Sequence, residues 1–529
     1  MHIYSFSPFG YEGSLVPVEV DLRRGIPTVD IVGLADGTVK ESRERMQAAI
    51  RNSGLEFPLE RVLISLSPAD LKKEGAGFDL PIALAVLCAK NKIGTEENAS
   101  PLIDEEDILV LGELELSGKV RHVKGVFSAV STAASAGILK CIVPAANAEE
   151  AREVQGMKVF GADTLEEAFI ALDNNENFTE RKNNSAYEKN LENVESVEGV
   201  LFPKVLPGFE FSEIKGQARL IRSLQVAAAG GHNLIAVGEA GCGKTLSIQR
   251  FPALLPLLTK EEGQSVTRIL SLAGLLPPEE SLVRIPPFRT PHQTASTEGI
   301  CGGGPYCRPG EISLAHNGVL FLDEAAEFKT SVLQMLRVPL ETGKITLVRA
   351  GRSSIFPANF QLLMAANPCP CGNFGSKTKI CLCSPRAVEL YWKKFSAPLL
   401  DRIDIRVHAE NENAGIEEKP SEQKVFSTDE LRKGIARATK AQRKRQGKKN
   451  AQLVPSEIAE FCKLDEESKS VLDSASLRYG FSPRAISSCL KLSRTIADME
   501  GRENIGVEDV KEAISMRKSL STFMDFSDD

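Results

Sequence analysis

Gly238-Glu239-Ala240-Gly241-Cys242-Gly243-Lys244-Thr245 directly follows the apolar run Leu234-Ile235-Ala236-Val237. The spacing G-x-x-x-x-G-K-[ST] is that of a phosphate-binding loop, whose glycines let backbone N–H groups turn inward around phosphate oxygens. Lys244 would reach the β- and γ-phosphates of ATP, and Thr245 would hold Mg²⁺. A helix beginning near Lys244 would aim its positive end at the same anion. A plain glycine-rich turn before a helix would have no use for Lys244-Thr245.

Further along, Val319-Leu320-Phe321-Leu322 runs into Asp323-Glu324. An Asp at such a strand end completes the Mg²⁺ shell, and the next Glu can orient and deprotonate the attacking water. A third strand, Phe360 to Ala366, ends in Asn367, an amide able to hydrogen-bond both the γ-phosphate and the lytic water. Arg402, in Leu400-Asp401-Arg402-Ile403-Asp404, has two readings. It reaches a neighbouring subunit's γ-phosphate, a contact worth about 10³–10⁵ in rate, or it pairs on the surface with Asp401 or Asp404. Arg484, in Ser482-Pro483-Arg484, opens a helix and could contact phosphate in the same way.

Cys369, Cys371, Cys381 and Cys383 fall on one loop, and four thiolates can close a tetrahedral Zn²⁺ site. The C-x-C spacing is tighter than the usual C-x₂-C, so structural zinc and free thiols both remain open. Cys301 and Cys307 flank Gly302-Gly303-Gly304 on what should be a mobile loop, and no metal is assigned to them. Cys88, Cys141, Cys462 and Cys489 sit in apolar patterns and read as core.

These residues must be positioned by several domains, since the chain has 529 residues. Residues 1–172 mix alternating runs (Val16 to Leu22, Val62 to Leu66) with helical ones (Asp79 to Ala89, Ser128 to Ala136), an α/β pattern. Residues 173–205 are rich in Asn, Glu and Lys, which reads as a flexible linker. Residues 206–410 alternate strand and helix around the phosphate loop. Residues 411–529 read as helical from Ser427 onward, with Glu430 three residues later as a capping-box signature.

Net charge is -7 with a pI near 5.7, so nucleic-acid contact would need local patches. Met1 is followed by His2-Ile3-Tyr4-Ser5, with neither a basic nor an apolar leader region, so no signal peptide is expected. No run of about 18 uncharged apolar residues predicts a membrane span. With eleven cysteines, this favours a cytoplasmic, reducing setting with thiols or metal ligands rather than disulfides.

The combination resembles the ComM/YifB family of magnesium-chelatase-like AAA+ ATPases over nearly the whole chain. Pro291 to Ser296, Arg308 to Gly318, Asn367-Pro368-Cys369-Pro370-Cys371-Gly372, Leu399 to Asp404 and Ser493 to Asp498 carry the likeness. Arg308 to Glu324 is the most specific stretch. The resemblance implies an AAA+ P-loop α/β core, a C-terminal helical lid, and a hexameric homo-oligomer with ATP between subunits. It assigns Arg402 to a role in trans and Arg484 to the second sensor. It also implies a DNA-dependent motor for branch migration in homologous recombination during DNA uptake.

Residues 1–172 resemble the Lon-protease-like (S5-type) α+β fold through Gly75 to Leu84 and Leu111 to Val120. A Lon-type protease needs a Ser nucleophile and a Lys base, but those positions fall near Phe78 and Phe127. A non-catalytic module for DNA contact or ring assembly is therefore expected. In related rings a hairpin such as Lys344 to Ile355 faces the pore, which brings Arg349 and Arg352 near its turn, with Arg289 and Arg308 bracketing the glycine-rich loop. These arginines would bind single-stranded or branched DNA through its phosphates, or they are solvated surface residues. The acid-free run Arg432 to Lys449 is read as the wet face of a helix or as a DNA contact.

Two departures stand out. The family usually has two prolines where this chain has Glu239-Ala240, and commonly His-His where it has His292-Gln293. A loop Glu near phosphates costs affinity unless it points away. Two alternatives therefore stay open beside the DNA motor: the motor subunit of a metal-inserting chelatase, and a nucleotide-regulated scaffold with little motor activity.

Overall fold

A computed structural model describes the chain except residues 1, 69–70, 72, 74, 93–106, 174–177, 181–192, 278–279, 305–306, 350–351, 377–378, 410–425 and 519–529. Its N-terminal part is built on a seven-stranded mixed sheet. In spatial order the strands are Val29–Val32, Arg61–Leu66, Ser14–Arg23, Ile3–Ser7, Ile108–Val110, Lys140–Pro144 and Lys158–Ala162. Alternation sets the two faces. Val16, Val18, Val62 and Ile64 pack under the helices Gly37–Asn52 and Asp79–Lys92, while Phe6, Leu109 and Val143 pack against the helix Val126–Ser135. Phe78 and Phe127 are both buried.

Part of the expected linker is folded. Val194–Val197 and Val200–Pro203 pair as an antiparallel hairpin, with Val200 and Phe202 in the core of the central unit. Glu198 and Gly199 both take positive φ, 47° and 75°, as a two-residue hairpin turn requires. The polar composition of 173–205 concealed a short alternating run, and residues 174–177 and 181–192 of that span lie outside the described set.

The central sheet is five-stranded and wholly parallel, in the order Phe288–Arg289, Val319–Leu322, Gln361–Ala366, Leu234–Gly238, Ile405–Ala409. Its inner strands are apolar on both faces because helices cover both sides. Parallel pairing gathers the C-terminal ends of the strands at one edge, which brings Gly238, Asp323 and Asn367 together. The hairpin of Lys344–Arg349 and Arg352–Pro357 stands apart from this sheet.

The C-terminal helices are Thr428–Arg445, Pro455–Phe461, Glu466–Tyr479, Pro483–Met499 and Val507–Lys518. Ser427 caps the first, accepting from Glu430 N at 3.2 Å. The basic run on that helix is not one wet face. Arg432 is fully buried, donating to Ala253 O at 2.8 Å, Pro203 O at 2.6 Å and Glu195 at 2.8 Å, and Arg445 pairs with Asp498. A helix packed on three sides turns some of its basic positions inward, where backbone carbonyls take up the charge.

The N-terminal part docks on the helix Lys260–Ala273 of the central unit. The Arg268 guanidinium lies 4.5 Å from the centre of the Tyr11 ring and donates to Tyr11 O and Ser128 Oγ. Tyr11 N donates to Ser354 of the hairpin at 3.1 Å, and the Tyr11 ring meets Phe356 edge-on. Glu150 and Glu153 accept from Ser271 and Ser281. Among the described residues no helix is long and apolar enough to cross a membrane.

Candidate nucleotide site

The phosphate loop leaves the strand Leu234–Gly238 and returns through Gly241 and Gly243, whose φ values of 84° and 91° belong to glycine. The helix that follows, Lys244–Gln249, is only six residues long, so the loop's own N–H groups matter more than a long helix dipole. Gln217 braces the loop from outside by donating to Cys242 O at 2.9 Å.

Lys244 is buried, and its Nζ donates to Gly238 O and Glu239 O at 2.7 Å each and to Asn367 Oδ1 at 3.3 Å. Burial pulls its pKa below the usual lysine range. Thr245 Oγ1 donates to Asp323 Oδ1 at 3.0 Å. A hydroxyl and a carboxylate so close offer the hard oxygen donors that Mg²⁺ takes, so the residues fit that ion. Glu324 follows with a left-handed φ of 47°, its N–H donating to Asp323 Oδ1 at 3.0 Å. The structure thus brings Lys244, Thr245, Asp323, Glu324 and Asn367 to one edge of the sheet.

Arg402 and Arg484 lie elsewhere. Asn233 Nδ2 donates to Arg402 O at 3.0 Å, just before the strand whose far end opens the phosphate loop. Five residues of strand separate the two ends by roughly 15 Å. Arg484 is on the same edge as Arg402, because Ser482, the cap of Pro483–Met499, donates to Asp401 at 3.3 Å and accepts from Ala485 N. Neither Asp401 nor Asp404 is Arg402's partner. Asp401 faces Arg517, and Asp404 faces His232 and Ser488, the histidine beside it holding its carboxyl, itself burdened by burial, down to about 2. Arg402 pairs instead with Glu341, which also meets Arg484 at 3.4 Å. The sequence reading missed Glu341, since an exposed acid before a hairpin carries no local signature.

The four cysteines of the loop converge. Their Sγ atoms all lie within 4.8 Å of one another, with separations of 3.3 Å (Cys369–Cys371), 3.6 Å (Cys371–Cys381) and 3.7 Å (Cys369–Cys381). Thiolates about 2.3 Å from a tetrahedral Zn²⁺ stand roughly 3.8 Å apart, so the set fits. The backbone N–H of Asn373 favours the Cys371 thiolate, drawing its pKa down to about 6. This loop leans on the nucleotide site, for a Cβ at Gly372 would meet Ala240 at 3.3 Å. Cys301 and Cys307 are both buried, Cys301 closing the helix Thr297–Cys301.

Of the candidate DNA residues, Arg289 is committed within the chain. It forms a two-pronged pair with Glu311 at 2.7 and 2.8 Å. Arg308 is exposed on a small hairpin, paired in register with Gly303. Arg349 and Arg352 are register partners at the end of the larger hairpin, and their side chains lie outside the described residues.

Comparison with known proteins covers the chain in three stretches. Family models match at residues 210–416 (magnesium chelatase, subunit ChlI), 18–147 (subunit ChlI of Mg-chelatase) and 426–517 (magnesium chelatase, subunit ChlI C-terminal). The chain is 37% identical over 519 residues to the uncharacterized protein YifB of Escherichia coli (strain K12), spanning 97% of this chain and 96% of that one. It is 36% identical to the competence protein ComM of Haemophilus influenzae, spanning 97% of each. The magnesium-chelatase 38 kDa subunit of Cereibacter sphaeroides matches at 24% identity over 30% of this chain and 53% of its own length.

Proposed function

Because the chain belongs to the ComM/YifB family of magnesium-chelatase-like proteins, we propose that it is a ring-forming ATPase that drives branch migration of DNA during recombination of incoming strands. The observation that carries this reading is the split site. The loop, Asp323, Glu324 and Asn367 share one edge of the sheet, while Arg402 and Arg484 sit together at the other, so a second copy must complete the site. A closed ring, a hexamer in this reading, satisfies that need for every copy at once.

In this reading Lys244 neutralises the β- and γ-phosphates of ATP, and the loop N–H groups hold their oxygens. Thr245 and Asp323 would hold Mg²⁺, which screens the phosphate charge when bound. Glu324 takes the proton of the attacking water, and Asn367 orients that water against the γ-phosphate. Arg402 and Arg484 of the adjacent copy stabilise the charge that develops on the transferred group. Arg484 thus serves as a sensor in trans, carried by the C-terminal helical lid.

DNA contact falls to the hairpin bearing Arg349 and Arg352 and to Arg308 beside it, with Arg289 left to its pair with Glu311. In this reading residues 1–172 are a Lon-like module for DNA contact or ring assembly rather than a protease, because the positions a Ser–Lys pair would need carry the buried Phe78 and Phe127. The four-cysteine loop holds structural Zn²⁺ and stiffens the wall behind Ala240. The name of the competence relative supports a role in DNA uptake, hence a cytoplasmic one on DNA already inside the cell.

The test is ATP turnover with and without forked DNA, beside Lys244→Ala. Forked DNA is expected to raise turnover and to be unwound, and Lys244→Ala to abolish both. Equal rates in wild type and Lys244→Ala would remove the site assignment. Turnover indifferent to every DNA would favour a scaffold or a chelatase motor. Zinc is read by elemental analysis of metal-replete protein, where its absence rejects the four-cysteine site.

A further inference from the structure

Glu341, in the short helix Pro339–Thr342, directs one carboxylate oxygen at Arg402 and the other at Arg484, 3.4 Å away. We propose that Glu341 is a positioning residue for ATP hydrolysis, holding the two guanidiniums convergent so that they meet the γ-phosphate bound by an adjacent copy as a pair. The inference rests on the ring-ATPase reading above.

Two cations brought to one point repel each other, and an anion between them removes that penalty. Glu341 is placed to be that anion, and Arg402 foremost, then Arg484, holds its carboxyl below the usual range. Arg402 is held at a second point. Its side chain is only 11% exposed and Nη1 donates to Pro398 O at 2.6 Å, so the group is fixed before any phosphate arrives. The Glu341 side chain is 53% exposed, so the anion around which the arginines gather opens to the outside. A phosphate entering there finds a preformed two-pronged donor set. Among the described residues, the bonds of Glu341, Arg402 and Arg484 do not reach the chain's own phosphate loop, so the effect of Glu341 falls on a neighbour's ATP.

Glu341→Ala, Glu341→Gln and Glu341→Asp would be assayed for ATP turnover. The expected result for Ala is a kcat lower by about ten- to a hundredfold, the usual cost of misplacing a catalytic group, with KM for ATP little changed. Asp, which keeps the charge, should recover part of the loss, and Gln less. Mixed assemblies supply the readout that a merely structural residue would not move. Glu341→Ala subunits keep an intact phosphate loop, and Lys244→Ala subunits keep intact arginines, so mixing the slowed variant with the idle one should raise turnover above the sum of the two at sites where one faces the other. Arg402→Ala should complement Lys244→Ala in the same way. An unchanged or raised kcat in Glu341→Ala overturns the proposal. So does a loss that Lys244→Ala subunits do not complement, when the variant melts and assembles like wild type. If wild type itself turns over no ATP, the ring-ATPase reading fails first, and that result is separate from wild-type turnover insensitive to Glu341.

Discussion

Glu324 is a non-glycine residue in the left-handed region, φ 47°, two residues past the end of the apolar strand Val319–Leu322. Such a conformation costs on the order of 1 kcal/mol or more and persists where the surroundings impose it. Here the Glu324 N–H donates to Asp323 Oδ1, that same oxygen accepts from Thr245, and Glu324 O accepts from Glu327 N at 2.7 Å. The turn therefore sets the Asp323–Thr245 pair and the direction of Glu324 together. In the proposed reaction Glu324 takes the proton of the water, so Glu324→Gln should lower turnover by about 10²–10⁴-fold. Binding should survive, because the loop, Lys244 and Asp323 are untouched. Phosphate release measured beside the affinity of a fluorescent ATP analogue checks both halves, and a variant that hydrolyses at the wild-type rate rules Glu324 out as the base. Lys244, Thr245, Asp323 and Asn367 were legible in the sequence because each ends or follows a short apolar strand in a fixed local pattern. Glu341 was not, because its partners Arg402 and Arg484 are 61 and 143 residues away along the chain. Arg402's own partner was misread for the same reason, since Asp401 and Asp404 are near in sequence but face other groups.

The strand that carries Asp323 is set in register from its other end. His316 is buried, its Nδ1 accepts from Asn359 N at 3.1 Å, and Asn317 N donates to Asn359 O at 2.7 Å. These bonds tie the start of Val319–Leu322 to the start of Gln361–Ala366 and hold the register that pairs Leu322 with Met364, so Asp323 and Asn367 leave the same end of the two strands. Burial lowers the His316 pKa to about 4. The fold thus favours the neutral ring. Its contribution is complete above the unfolded value near 6.5, falls as pH drops below that, and levels off once the folded ring protonates near 4. The loss is about 3 kcal/mol at most. Urea midpoints between pH 7 and pH 4 should therefore fall further for wild type than for His316→Gln, which has no proton to take up, and parallel falls would contradict this. A second element-scale prediction concerns the hairpin Val194–Pro203. Arg432 holds it through Pro203 O and Glu195 while bonding Ala253 O, so Arg432→Ala should destabilise the central unit by about 3 kcal/mol. A melting temperature equal to wild type would show the buried guanidinium to be dispensable. The C-terminal helices were legible from their period and caps. The hairpin was not, because its alternation lasts only four residues a strand inside a polar stretch and its turn is Glu-Gly rather than Asn-Gly.

At the scale of the molecule, the N-terminal part meets the hairpin bearing Arg349 and Arg352 at Tyr11. Tyr11 offers its carbonyl and ring to Arg268, its N–H to Ser354 and its ring edge to Phe356. The polar partners are 257 and 343 residues away, so no local pattern in the sequence could announce the junction. Domain types are written in local periodicity, whereas docking is written only in the folded surface. A hairpin held from both sides has less freedom to move alone, and a force on it is passed to the N-terminal part. Arg268→Ala removes the cation over the ring and its bonds to Tyr11, Ser128 and Thr132, a loss of about 2 kcal/mol. Amide exchange should then rise in residues 9–13, in the helix Val126–Ser135 and in the strand Arg352–Pro357 together, while the strand Leu234–Gly238 stays protected. Arg222→Ala provides the contrast, because Arg222 ties the central unit to Glu500, just past the helix Pro483–Met499, and to Glu512 in the helix Val507–Lys518. It should loosen those helices and leave the hairpin as in wild type. If Arg268→Ala frees residues 9–13 without freeing the strand Arg352–Pro357, the two parts touch without being coupled, and the N-terminal part takes no share of what the hairpin feels.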